Sequence, residues 1–237
     1  MAEVTAALGY REWPSRLDGA VVWTRTVTGH DLGLPVLPDG CMDLLWSGGK
    51  LSVAGPDTGA YRPTVPVGTS FAGIRFFPGS APALLGVPAH ELRDRRVELA
   101  DLWPSATVRQ LTEQLDAADD RIAALEALVL RRAAETEPPD PILRRIAVAL
   151  DSGWSVAATA EAAGLGARRL HRRSLAAFGY GPKTLARVLR LQRALAAARS
   201  GVPLADTAAR TGYADQAHLA REVRELAGMP LRELLTR

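Results

Sequence analysis

Apolar residues recur at helical spacing through the last hundred residues of the chain, and glycines interrupt them at regular points. The pattern predicts helices near 141–150, 156–163, 167–177, 182–199, 204–211, 215–226 and 230–236. Gly153, Gly164, Gly179, Gly201, Gly212 and Gly228 fall at the breaks, where a left-handed cap residue is favoured. Asp140 followed by Pro141 reads as a helix start, with Asp as N-cap and Pro in the first helical position. Residues 20–77 follow a different rule. Val21–Val27 alternates and is rich in β-branched residues, CMDLLW lies between the turn signals Pro-Asp-Gly and Ser-Gly-Gly, and LSVAG and SFAGIRFF follow at short intervals. From Pro78 the helical period returns. APALLGVP is short. SATVRQLTEQL opens on Ser105 as a cap and aligns Val108, Leu111 and Leu115, and DRIAALEALVLRRA aligns Ile122, Leu125, Leu128 and Val129.

These elements imply an α+β N-terminal domain, a small β-barrel or sandwich followed by helices, joined to an all-α C-terminal domain. The stretch from Glu135 to Pro141 holds three prolines and cannot continue a helix. It divides the chain into residues 1–136 and 137–237.

The C-terminal pattern is a repeat. Residues 160–182 read AEAAGLGARRLHRRSLAAFGYGP and residues 208–230 read AARTGYADQAHLAREVRELAGMP. Gly164 pairs with Gly212 at an offset of 48, and Leu170, Arg172 and Gly179 pair with Leu219, Arg221 and Gly228 at an offset of 49. One extra residue in the second turn reconciles the two offsets. Each copy has the outline of a helix-turn-helix: a short helix, a turn at a glycine, and a second helix suited to the DNA major groove. A pair of helical hairpins in some other all-α domain has the same outline. The 18 residues 182–199 between the copies span about 27 Å as a helix at about 1.5 Å per residue. Leu185, Val188, Leu191 and Leu195 supply its packing positions. Lys183, Arg187 and Arg190 form a basic stripe along it, suited to phosphate rather than base contact.

Charge supports the nucleic-acid reading. Residues 1–139 carry 13 basic and 18 acidic side chains, a balance of −5; residues 140–237 carry 16 and 8, a balance of +8, which together give the net +3. Arginine outnumbers lysine 27 to 2, as expected of a GC-rich, bacterial coding sequence. No apolar run reaches the length of a membrane span, the N-terminus lacks the pattern of a secretory signal, and the single cysteine excludes an intrachain disulfide. A cytoplasmic protein with no membrane partner is expected.

The second copy, with Gly212-Tyr213, Asp215-Gln216-Ala217-His218, Arg221, Gly228 and Pro230, resembles the DNA-binding domain of the AraC/XylS family of transcription regulators. The resemblance covers the last hundred residues. It implies a seven-helix domain with two helix-turn-helix units that binds double-stranded DNA as a monomer or dimer. The chain departs from that family at Ser174, where a large aromatic is usual, and at Leu219 and Val223, where phenylalanines are common. The resemblance places Arg168, His171 and Arg172 of the first unit and Gln216, Ala217 and Arg221 of the second toward bases, with His218 among the contacting set. Arginine pairs with guanine, glutamine with adenine, and Ala217 suits a thymine methyl. Arg221 has a structural alternative in pairing with Glu225. Arg169 and Arg173 suit backbone contact or solvent.

The N-terminal half resembles an uncharacterised N-terminal domain of bacterial AraC-type regulators, through LPDGCMDLLW, VAGP and GIRFFPGSAPALLGVPAHEL. That resemblance implies a sensor or self-association role, with a small-molecule effector, RNA polymerase and a second copy of the chain as candidate partners. Ligand-lining candidates are Cys41, Trp23, Trp46 and Arg75, the last as an anion anchor. Each has a plainer reading as an inert buried thiol, core aromatics and an outward or paired arginine. The histidines His30, His90, His171 and His218 form no metal-ligand spacing, so neither metal nor cofactor is expected. The expectation is an effector-responsive, non-enzymatic regulator. The alternatives are a DNA-targeted alkyl-transfer or redox-sensing protein using Cys41, and an architectural DNA-binding protein.

Overall fold

The computed structural model describes residues 9–29 and 34–236, so His30 lies outside the described residues. Six strands come first: β1 (Tyr10–Pro14), β2 (Ala20–Thr26), β3 (Met42–Ser47), β4 (Lys50–Ala54), β5 (Ser70–Phe76) and β6 (Arg96–Glu98). They make one antiparallel sheet in the order β1-β2-β5-β3-β4-β6, so the expected barrel or sandwich strands form a single layer. β5 is inserted between β2 and β3, which are consecutive in sequence.

The register separates the chemistry of the two faces. Val22 lies opposite Ile74, Ile74 opposite Leu44, Leu44 opposite Val53, and Val53 opposite Val97. This apolar row faces three helices: α1 (Ala81–Leu85), α2 (Ser105–Asp116) and α3 (Arg121–Glu135). Ile122, Leu125, Leu128 and Val129 of α3 and Val108 and Leu115 of α2 are buried, while Leu111 is only half-buried. Pro104, not Ser105, is the N-cap residue of α2, and it offers no side-chain bond to the helix. Successive strand residues point to opposite faces. The next row therefore faces away from the helices, and it reads Val21, Arg75, Asp43, Ala54 and Arg96.

After α3 the chain passes through the proline stretch into α4 (Pro141–Asp151), where the Asp140 carboxylate accepts a hydrogen bond from the Ile142 amide. Six more helices follow: α5 (Val156–Ala162), α6 (Ala167–Phe178), α7 (Pro182–Arg199), α8 (Leu204–Thr211), α9 (Gln216–Ala227) and α10 (Leu231–Thr236). Two apolar cores form here. One joins α4, α5, α6 and the first half of α7; the other joins the second half of α7, α8, α9 and α10. Among the described residues, no helix is long and apolar enough to cross a membrane.

Ser174 of α6 is fully buried and its hydroxyl has no hydrogen-bond partner among the described residues. A buried hydroxyl without a partner costs about 1–3 kcal/mol. Ser174→Ala is therefore expected to raise stability by about 1 kcal/mol, measured as a higher denaturation midpoint at unchanged slope. A lower midpoint would show that the hydroxyl is satisfied.

Candidate nucleic-acid interface

The repeat extends beyond the two turns. Trp154 N donates to Ala149 O, and Val202 N to Ala197 O; Leu165 N donates to Ala160 O, and Tyr213 N to Ala208 O. Each pair of bonds is offset by 48 residues. Thr159 and Thr207, also 48 apart, are both buried, and each hydroxyl donates to a backbone carbonyl before its helix. The unit is thus three-helical: α4-α5-α6 in the first copy, and the second half of α7 with α8-α9 in the second. The same six-to-one bond, between amide and carbonyl five residues apart, closes both turns. Gly212 has φ +81, and Gly164 has φ +62, a region that L side chains rarely adopt. The second turn is one residue longer, because the N-cap residues are Gly166 in one copy and Asp215 in the other.

Leu170 and Leu219 are fully buried and anchor α6 and α9 in their cores. The opposite faces are open. On α6, Arg168, Arg169, His171 and Arg172 are exposed, and the three arginines make no ion pair among the described residues. The His171 ring packs against Gly181 at the start of α7. On α9, Gln216, Ala217 and Arg221 are exposed. Arg224 is exposed as well and lies seven positions after Ala217, on the same face. Its spacing marked it, but it was not among the residues expected to contact DNA. Glu225 pairs with Arg187 at 2.8 Å, and Arg221 is left without a carboxylate among the described residues. The pairing of Arg221 with Glu225 does not occur.

Several expected contact residues are instead engaged inside the domain. Arg173 Nη1 reaches Asp140 Oδ2 at 2.5 Å and ties α6 to the first turn of α4. Arg187 and Arg190 face Glu222 of α9 rather than solvent. Arg190 Nη2 lies 2.8 Å and 2.9 Å from the two carboxylate oxygens, and Arg187 Nε lies 3.3 Å from Oε2. Glu222 is buried. Burial alone would raise its carboxyl, but the hydrogen bonds and charge of Arg190, with Arg187, hold it below the ordinary glutamate range. Arg190 also stacks 4.5 Å over the Tyr213 ring, which meets His218 edge-on at 5.2 Å. His218 is half-buried, and its Nδ1 accepts from the Ala214 amide at 3.3 Å. Arg187 and Arg190 of the α7 stripe therefore lock α7 to α9. Lys183 alone of the stripe is exposed and without an ion pair among the described residues.

The two copies use the same position with opposite charge. Arg173 and Glu222 are 49 residues apart, and each pairs with the helix that opens its own unit, Arg173 with the Asp140 cap of α4 and Glu222 with α7.

The N-terminal ligand candidates divide between the two faces of the sheet. Trp46 lies on the helix side, donating to Asp116 Oδ1 at 2.8 Å with Arg121 over its ring. Trp23, Cys41 and Arg75 gather on the other side. The Trp23 indole lies against Gly73, where any Cβ would clash, and donates to Asp43 Oδ1 at 2.7 Å. Arg75 Nε is 3.2 Å from Asp43 Oδ1 and 3.4 Å from Asp39 Oδ2. Two carboxylates thus flank one guanidinium, leaving no unbalanced positive charge for the anionic ligand expected at Arg75. Burial, then the Asp39 carboxylate, pushes the Cys41 thiol well up, the reverse of what a nucleophilic or redox-active cysteine needs. Among the described residues, no cluster of three or more His, Cys, Asp or Glu is placed to hold a metal ion.

Residues 159–237 match the family model of a helix-turn-helix domain, and residues 20–98 match a domain of unknown function (DUF6597). No curated protein matches the chain. Among solved structures, an apo ToxT variant from Vibrio cholerae is 11% identical with a TM-score of 0.50, covering 94% of this chain and 99% of its own. A second Vibrio cholerae ToxT structure is 10% identical with a TM-score of 0.49, covering 96% and 97%. A probable AraC family transcriptional regulator from Rhodopseudomonas palustris is 22% identical with a TM-score of 0.36, covering 41% of this chain and 97% of its own. The first of these likenesses shows a shared overall fold, a sheet domain followed by a helical one.

Proposed function

We propose that this chain is an AraC-type DNA-binding transcription regulator and that it reads one operator through two adjacent major grooves, a reading supported by the helix-turn-helix match over residues 159–237. The carrying observation is the matched pair of open faces. Arg168, Arg169 and Arg172 stand on α6, and Gln216, Ala217, Arg221 and Arg224 on α9, with no carboxylate neutralising the arginines among the described residues. Arg168 and Arg172 of α6 supply guanine-reading forks. α9 supplies Gln216 for adenine, Ala217 for a thymine methyl and Arg221 for guanine. α7 joins the two units with a rod of about 27 Å, against about 34 Å between successive major grooves on one face of DNA. We assign residues 137–237 to DNA binding and 1–136 to sensing a small-molecule effector.

Competition binding at fixed salt tests this reading. A preferred sequence selected from random DNA is expected to bind at least about 10³-fold more tightly than unselected DNA. Equal affinity for all sequences would favour an architectural protein. Lys183→Ala is expected to weaken binding to preferred and random DNA alike and to reduce the salt slope by about one. A loss confined to the preferred sequence would move Lys183 into the base-reading set.

A further inference from the structure

Residues 36–41, between β2 and β3, touch the sheet and both helix-turn-helix cores within six positions. Val36 exchanges backbone hydrogen bonds with Tyr61 at 2.7 Å and 2.9 Å. Leu37 packs against the core of the second unit. The Pro38 carbonyl accepts from Gln192 Nε2 of α7 at 2.6 Å. Gly40 lies on the apolar core of the first unit: a Cβ there would sit 3.2 Å from Leu185 Cδ1, and its φ of +85 favours glycine. Between these contacts, Asp39 points back to the sheet. Its Oδ2 lies 3.4 Å from Arg75 Nε and its Oδ1 accepts from the Cys41 amide at 2.9 Å.

The sheet end of this segment is a buried polar cluster. Arg75 is held between Asp39 and Asp43, yet its Nε has no aligned hydrogen bond. Asp43 is bound in turn by the Trp23 indole. From the helical side Tyr180, at the start of the loop between α6 and α7, adds a buried hydroxyl that also lacks a partner among the described residues. In the low dielectric of this site the charges act strongly on one another, and an unpaired polar group is costly, so a change at one member is felt by the rest.

We propose that residues 36–41 are a transmission strap. Asp39 reads the charge balance around Arg75 and Asp43, and Leu37, Pro38 and Gly40 impose the result on the second unit, the connecting helix and the first unit together. The strap thereby sets the angle between the two reading helices. A single element with three footholds explains how one sheet face can govern two units that lie in separate cores. The coupling is a property of the free protein, so it is measured without DNA and stands or falls apart from the DNA-binding reading.

Amide hydrogen exchange on the full chain tests it. Asp39→Asn removes the charge that faces Arg75 and alters no residue of α7 or α9. It is expected to speed exchange in Val188–Leu195 of α7 and Leu219–Ala227 of α9 by roughly tenfold, the equivalent of one charge-assisted hydrogen bond. Gln192→Ala cuts the strap at its other end and is expected to speed the same amides. Glu126→Gln serves as control. It disturbs a different ion pair of the same domain, Arg16 with Glu126 at 2.6 Å, and is expected to leave α7 and α9 unchanged. Unaltered exchange of α7 and α9 in Asp39→Asn overturns the proposal. So does equal acceleration by Glu126→Gln, or an acceleration that spreads uniformly into β2 and β5.

Discussion

Glu222→Ala is expected to destabilise the second helix-turn-helix by about 2–4 kcal/mol. Removing one partner of a fully buried pair costs about 3–5 kcal/mol, because the remaining charge is stranded. The discount reflects Arg187 and Arg190, whose side chains remain partly exposed and regain some hydration. Two arginines lose their common anchor, and Arg190 loses its setting over Tyr213. A biphasic denaturation is expected, with α8, α9 and α10 melting first. A loss under about 0.5 kcal/mol would place the cluster among ordinary surface ion pairs.

The same carboxylate gives a pH signature. Its folded value is depressed, so its contribution is complete above the unfolded glutamate value of about 4.3. It is lost as pH falls through the lower folded value. The wild-type chain should therefore lose stability in its second unit below about pH 4. Glu222→Gln should start less stable at neutral pH and show a flatter acid limb. Parallel acid limbs for the two proteins would contradict the assignment.

Arg172→Ala is expected to weaken binding to the preferred sequence by about 1–3 kcal/mol, roughly 5- to 150-fold, with a much smaller loss on random DNA. The side chain is exposed, stands on the open face of α6 and has no ion pair to break among the described residues, so its removal should leave the fold intact. The comparison with Arg173→Ala sharpens the test. Arg173 holds Asp140 at the start of α4, and its loss should lower stability and affect both kinds of DNA together. Fluorescence anisotropy on the preferred and scrambled duplexes separates the two outcomes. Equal losses for Arg172→Ala on both duplexes would make it a phosphate contact.

The C-terminal helices were legible because their stops are chemical. Gly179, Gly212 and Gly228 take left-handed caps, and the Asp140-Pro141 start is bonded as its residue types suggest. In the sheet, β2 followed from alternation, and β3 to β5 from the turn signals and short spacing that bound them. β1 and β6 did not: YREWP carries charge and proline at an edge, and RVE is too short to show a period. The polar row was hidden for a different reason. Arg75 and Asp43 meet only because β5 inserts between β2 and β3, an order that no local pattern encodes. Similarly, Arg187 and Arg190 looked like a free basic stripe because Glu222, more than thirty residues away, is invisible to helical spacing. Leu37 to Gly40 read simply as a turn, since the helix they lie on comes 150 residues later.

The most direct test of the account is a guanine methylation-protection footprint of the full chain on its preferred sequence. Protected guanines in two successive major grooves on one face of the duplex, separated by about one helical turn of roughly 34 Å, are the expected result. Arg172→Ala should clear one patch and Arg221→Ala the other. A footprint confined to a single groove, or one that neither substitution alters, would contradict the claim that both units read DNA.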